Sequence, residues 1–322
     1  MPPDRVKLDE LEVTRRPGCY RMTAVVDASP AVDLPVIAIA GERPGPVFMA
    51  AAGVHGDEYE GPRALWDVCD SLPPSSLSGV FVALPICNPW AFAAGSRTTP
   101  AELDGVNLAR TFPGDPAGSP TQRLAAALLA FVLRLRPALF LDLHSGGVRY
   151  RFLPAVAYRR GLGDPQRSRA AVRAFGVKNL WAGRDHAGTF NSETARLGIT
   201  TVGNEMSGAG GCLDEDVAAD RDGVLNLMRW LGMVRDRPAP EVPGPFWETT
   251  EVPSPAGGYA QMRTSVGDAV SEGAPIATVR SPFGEIMGEA RAPFDGAVWV
   301  TRHLRVIQAG EMIGSVARPV TD

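Results

Sequence analysis

The chain has 322 residues, of which 45% are hydrophobic and 21% charged, and a net charge of −4. This is the composition of a globular protein, which excludes collagen-like, coiled-coil and disordered chains; the acidic balance offers no footprint for nucleic acid, and no apolar run approaches the ~18–20 residues of a membrane span. At ~100–200 residues per domain, the length suits one large unit and one small one. The stretch Met1 to Glu10 lacks the charged-then-apolar order of a signal peptide, and Cys19, Cys69, Cys87 and Cys212 form no Cys-x-x-Cys pair. A cytoplasmic protein with reduced thiols is expected.

In chain order, 35–40 and 46–52 read as strands, apolar throughout as in a sheet covered on both faces. The second runs into Gly53-Val54-His55-Gly56-Asp57-Glu58-Tyr59-Glu60-Gly61, where His55 and Glu58 stand three apart on a turn entering a helix at 61–72. Imidazole and carboxylate are both good zinc ligands, and the glycines let the backbone approach closely. A His-x-x-Glu spacing arises by chance in many chains, and a hydrogen-bonded loop histidine is the plain alternative; the strand-end placement favours a metal.

A strand at 80–84 follows, then the Gly/Pro-rich stretch 95–114, which holds Arg97, Asn107 and Arg110 without a helical face to solvate the arginines. Loops on a rigid scaffold are where binding residues concentrate, although a lone loop arginine is usually just a surface charge. The pattern at 120–135 predicts a helix whose stripe of Leu124, Leu128 and Val132 belongs to a core. Strand 138–143 then ends at His144, a third ligand candidate, with Asp142 two residues earlier and placed to orient its ring, unless Asp142 only caps a turn. His186, in a loop, is expected at a pocket or on the surface. The β-branched run from 199 ends in Glu205 before a glycine-rich turn, another strand-end carboxylate and a candidate general base. Strand carboxyl ends are where open α/β sheets bind ligands.

A helix at 215–233 closes this part, and the four prolines of 235–245 mark a boundary between a catalytic unit over 1–237 and a β-rich, barrel-like unit over 246–322. Segment 266–276 is similar to the hairpin of biotinyl and lipoyl barrels but holds no lysine to modify, so a structural or substrate-covering unit is expected. The fold class is α/β: a mixed central sheet flanked by helices, with a small C-terminal all-β unit.

Taken together, the segments at 53–61, 95–114, 141–147 and 199–208 resemble the succinylglutamate desuccinylase/aspartoacylase family, whose catalytic fold is that of the zinc carboxypeptidases. The likeness spans about 36–233, with the C-terminal unit matching the family's two-domain plan. It implies one zinc ion per chain on His55, Glu58 and His144, with Glu205 as general base. It also implies Arg97 as the group polarising the scissile carbonyl and Arg110 as the grip on a substrate carboxylate. The family's Asn-Arg dipeptide reads Ala109-Arg110 here, with Asn107 two residues earlier. The His-Gly-Asp-Glu-Tyr-Glu-Gly run is similar to that of bacterial deacylases acting on N-acetylated diamino acids. The implied function is zinc-dependent hydrolysis of the amide of a small N-acylated amino acid. The rivals are a metallocarboxypeptidase, which needs an open cleft, and a zinc-binding protein without catalysis, which has no use for Glu205 or Arg97. The expected partner is a small N-acyl substrate, and a homo-oligomer is compatible with the sequence.

Overall fold

The structure is a computed structural model that describes residues 5–14 and 16–320; the first four residues of the leading stretch lie outside it. The chain lays down β1 (Arg5–Lys7), β2 (Gly18–Val26), β3 (Val32–Ala40), β4 (Arg43–Ala51), α1 (Glu60–Ser71), β5 (Ser78–Leu84), α2 (Pro89–Ala94) and α3 (Pro120–Leu135). Then come β6 (Leu139–Asp142), β7 (Tyr150–Phe152), β8 (Ala155–Arg159), α4 (Pro165–Phe175), β9 (Leu180–Gly183), α5 (Phe190–Arg196), β10 (Thr201–Glu205) and α6 (Asp214–Trp230). The remainder is strand: β11 (Phe246–Pro253), β12 (Gly258–Met262), β13 (Ala269–Val270), β14 (Pro275–Arg280), β15 (Ile286–Arg291), β16 (Gly296–Arg302), β17 (Val306–Ile307) and β18 (Met312–Pro319).

The main sheet has the order β1-β2-β3-β5-β4-β6-β10-β8-β9-β11-β18-β16-β13, with β7 added to β16. Its centre, β5-β4-β6-β10, is parallel, and β3 and β8 join it antiparallel. The all-apolar central strands serve two cores. Phe48, Ala50 and Ala52 face one built with Leu65 and Val68 of α1, Phe175 of α4 and Leu227 of α6. Met49 and Ala51 face the other, where α3 places Leu124, Leu128 and Val132. This alternation is the period-two geometry of a strand, and coverage of both faces is why the run shows no polar residues. Among the described residues no helix is long and apolar enough to cross a membrane.

The strands and helices expected from the sequence are present to within a few residues. β1, β2, β7, β8, β9, α2, α4 and α5 were not anticipated, because they are short or polar on one side. α4 reads Pro-Gln-Arg-Ser-Arg-Ala-Ala-Val-Arg-Ala-Phe and buries only its Ala171, Val172, Ala174 and Phe175 face apart from Ser168. The C-terminal residues do not all form a free-standing unit. β15-β14-β12-β17 make a separate antiparallel sheet over a small core including Ile276, Val279 and Ile313. β11 instead pairs parallel with β9 through Phe246↔Leu180 and Trp247↔Trp181, so the large sheet continues across the proline-rich junction. The open edge of β9 is thereby capped.

The turn after β4 is packed against α2. Gly56 donates to the Ser96 carbonyl at 2.9 Å, and a Cβ at this position would lie 2.0 Å from the Ala91 carbonyl carbon. Gly56→Ala must therefore displace α2 and the loop behind it. Its expected cost is about 1–3 kcal/mol, as for other overpacked interiors, read by urea denaturation.

Candidate metal centre and active site

Three adjacent parallel strands bring the site together. Ala51 of β4 pairs with Asp142 of β6, and Asp142 with Gly203 of β10. His55 stands four residues past the first of these, His144 two past the second and Glu205 two past the third. The three side chains therefore emerge at one edge of the sheet, the carboxyl-end crevice of an open α/β fold. Gly53 makes the turn possible with φ +61°, a left-handed conformation that side chains rarely adopt.

Glu58 is the hub. It is 2% exposed, and its carboxylate meets His55 Nδ1 at 2.7 Å, His144 Nδ1 at 2.9 Å and an Arg97 guanidinium nitrogen at 3.1 Å. The Ser145 N–H also donates to it at 3.2 Å. Asp142 Oδ1 lies 3.2 Å from His144 Nε2, an ion-pair distance at which no hydrogen bond is completed. Burial pushes the Glu58 carboxyl up, and the two imidazoles outweigh it and hold Glu58 well below its ordinary value. Burial lowers His55, whereas for His144 the carboxylates of Asp142 and Glu58 outweigh burial and raise it well above the imidazole range.

These residues fit a zinc ion. One ligand atom each from His55, Glu58 and His144 lies within 4.8 Å of the other two. A tetrahedral ion with bonds of ~2.0–2.2 Å needs edges of roughly 3.3 Å, so small movements complete it. His55 Nε2 is buried with no hydrogen-bond partner, so protein hydrogen bonds alone do not satisfy this imidazole. A divalent cation would also take over the charge that a proton on His144 balances in its absence.

Glu205 lines the same cavity, and its carboxylate makes no hydrogen bond among the described residues. Burial, reinforced by the charge of Glu58, pushes its carboxyl up to about 8 against the pull of His144, Arg97 and Arg159. A cation on the neighbouring ligands favours its ionised form. Arg97 is half-buried and held at the ligand set by its ion pair with Glu58. Its loop is pinned to the start of α3 by Asp104, which accepts from Ser119, from Val106 N–H and from both the N–H and the hydroxyl of Thr121.

Arg110 reaches the cavity from the short turn 108–110 and remains solvent-accessible through it. Asn107 also lines the cavity, with its Oδ1 committed to the Ala109 N–H at 2.9 Å. His186 is there too, lowered by burial and by Arg159 and Arg110.

Two groups of residues were not visible in the sequence. Arg159, the last residue of β8, is a cavity guanidinium with no ion pair among the described residues; its Nε donates to Asn191 Oδ1 at 3.0 Å, and burial lowers its pKa. The signal was an arginine closing the apolar run 155–158, a fourth strand-end polar residue. The second group comes from C-terminal strands: Thr249 and Glu251 of β11, Trp299 of β16 and Met312 and Ser315 of β18 wall one side of a cavity of about 650 Å³.

With this geometry in view, comparison with known proteins is decisive. The family described as the succinylglutamate desuccinylase/aspartoacylase catalytic domain matches residues 44–231. The chain belongs to this family. It is 31% identical over 303 residues to the N-alpha-acetyl-L-2,4-diaminobutyric acid deacetylase of Halomonas elongata, covering 90% of this chain and 87% of that one. The solved succinylglutamate desuccinylase/aspartoacylase from Rhodobacter sphaeroides superposes with a TM-score of 0.87 at 26% identity, over 97% of this chain and 98% of that one. A product-bound structure of the ectoine utilization protein EutE (DoeB) from Ruegeria pomeroyi matches with a TM-score of 0.83 at 27% identity, over 96% and 97%. The mixed sheet with its C-terminal strands is thus the architecture of the family's solved members.

Behind His144, Asn204 Oδ1 accepts from the His144 N–H at 3.1 Å, and its Nδ2 donates to the fully buried Asp220. Burial, with the charges of Glu60 and Asp216, pushes the Asp220 carboxyl well above its ordinary value. A raised folded-state pKa means that the folded protein holds a proton the unfolded chain releases near pH 3.9, so stability falls as pH rises through that window. Asp220→Asn is expected to match wild type below about pH 4 and to gain on it progressively toward neutrality, by up to about 1.4 kcal/mol per pH unit. Urea denaturation across this range checks the sign.

Proposed function

We propose that this protein is a zinc-dependent hydrolase that removes a small acyl group, acetyl in particular, from the nitrogen of an amino acid. The observation that carries the reading is the set His55, Glu58 and His144 beside Glu205 in a closed-sided cavity that also presents Arg110 and Arg159. His55, Glu58 and His144 would hold the zinc, which when bound supplies Lewis acidity, bringing a water's pKa toward ~7 and polarising the amide carbonyl.

Glu205 accepts the water proton at its carboxylate as the water oxygen bonds to the acyl carbon. The Arg97 guanidinium donates to the oxyanion that forms, a kind of contact worth about 3–4 kcal/mol when well aimed. Glu205 then delivers the proton to the amide nitrogen as the C–N bond breaks, leaving a carboxylic acid and a free amine. Arg110 and Arg159 take the α-carboxylate, because neither spends its charge on a protein carboxylate at ion-pair distance. Asn107, held by its cap on the turn, lines the approach to Arg110.

All the reacting groups lie within 1–237, and residues 246–322 supply the opposite wall. That wall favours a deacylase over the carboxypeptidase alternative, since a cavity of about 650 Å³ is sized for a small molecule rather than a peptide chain. His55→Ala and His144→Ala are expected to lose the metal, from about one zinc per chain to a small fraction of it by elemental analysis. Glu205→Gln should keep its zinc while kcat for release of amine from an N-acetyl amino acid falls by roughly a hundredfold or more, the usual worth of a general base. Metal loss in Glu205→Gln would make Glu205 a ligand and overturn its assignment.

A further inference from the structure

The small antiparallel sheet has one long open edge. β1 and β13 end the large sheet and β17 ends the small one, and each of these is two or three residues long, whereas β15 at the other end of the small sheet has six. Short edges are one way sheets avoid pairing with other chains, and a long edge with exposed apolar side chains is a template for a further strand. Here Ile286 is 60% and Met287 53% exposed, and Phe283 at the tip of the hairpin joining β14 to β15 is 91% exposed. None of them lines the cavity described above.

The free side of β15 follows from its hydrogen bonds. The Ala292 N–H donates to the Ala274 carbonyl at 2.9 Å, and the Ala292 carbonyl accepts from the Gly273 N–H at 2.8 Å, so Ala292 turns both backbone groups toward β14 and the residues before it. Backbone groups alternate in direction along an antiparallel strand, and Glu289 and Arg291 therefore turn theirs outward. Ala290 between them is buried in the core of the small sheet, which leaves Glu289 and Arg291 exposed together on the outer face. Their side chains are ion-paired with each other, and the Arg291 guanidinium also donates to the Gly273 carbonyl at 2.7 Å, which holds it beside the edge.

This order of charge is complementary to itself. When two β15 strands pair antiparallel about a two-fold axis at Ala290, Glu289 faces the partner's Arg291 and Arg291 faces the partner's Glu289, and the outward backbone groups of these residues meet in register. The same pairing lays Ile286 and Met287 alongside the partner's Phe294 and Pro293, and Pro293 has no N–H to leave unpaired. A two-fold axis at Glu289 or at Arg291 instead sets like charges against each other, which is destabilising.

We propose that β15 is a self-association edge, through which two copies of this chain pair antiparallel about Ala290 and join their small sheets into one. A second copy is the occupant that the charges specify, since any other strand has to carry the opposite order of charge. The edge lies outside the cavity, so the proposal stands independently of the deacylase reading.

Sedimentation velocity over a concentration series reads the association. Wild type is expected to form a dimer with a Kd of micromolar order, as suits an interface at the small end of the specific range. Glu289→Arg and Arg291→Glu each make both cross-strand pairs repulsive and are expected to weaken self-association by roughly tenfold or more. Equimolar mixing of these two variants restores the complementary pairs and with them the dimer, as does the double exchange Glu289→Arg/Arg291→Glu within one chain. Recovery on mixing also shows that neither variant has merely misfolded. A wild type that stays monomeric at its highest soluble concentration overturns the proposal. So does a dimer that either single variant leaves intact, which places the contact on another surface, and so do two variants that remain monomeric after mixing.

Discussion

The carboxylate of Glu58, enclosed between two imidazoles and a guanidinium, is the constraint on which the rest of the site depends. A buried charge costs several kcal/mol unless it is paired and hydrogen-bonded. Here the partners arrive from three separate places: His55 from the same turn, His144 from the next strand and Arg97 from the loop after α2. Their meeting requires the in-register parallel pairing of β4 with β6. It also requires the close packing of Gly56 on Ala91 and the anchoring of the 97–111 loop by Asp104. Burial raises the Asp104 carboxyl, and the hydrogen bonds from Thr121, Val106 and Ser119 more than reverse it. The loop thus holds its arginines on a rigid frame.

The cavity divides its chemistry between two parts of the chain. The parallel centre of the sheet supplies His55, His144 and Glu205, and because those residues sit at or just past strand ends their spacing follows from backbone register rather than from loop conformation. The antiparallel strands of the C-terminal residues supply the opposite wall, where Thr249, Glu251, Trp299 and Ser315 stand. Trp299 reaches this wall through the register irregularity between Val298 and Val300, which inserts an extra residue opposite β18. Substitutions on β11 or β18 can alter that wall while His55, Glu58 and His144 stay where they are. The matched family domain ends at residue 231, before these C-terminal strands begin.

Sequence alone singled out the residues that meet at the centre, because their signals are local. His55 and Glu58 are three residues apart, and His144 and Glu205 each close an apolar run, so strand ends could be recognised without knowing which strands were neighbours. The central strands were legible for the same reason, since burial on both faces leaves an unbroken apolar run. The resemblance to a deacylase family drew on these same segments. Half-polar elements such as α4 carry no such run, the apolar run of β8 is only four residues long, and Arg159 was lost with the strand that bears it.

Tertiary structure decided what local pattern cannot encode. It joined β11 to the edge of β9, which no turn or periodicity near 246 announces, because pairing between distant strands depends on an open edge rather than on neighbouring residues. It brought Glu251 and Arg110, 141 residues apart in the chain, to the walls of one cavity, and left Ser315 buried without a partner. The choice of His55, Glu58, His144 and Glu205 follows from side-chain chemistry at recognisable positions. The shape and charge of the substrate space follow from which faces the folded sheet turns toward each other, and those faces exist only after the long-range pairing has formed.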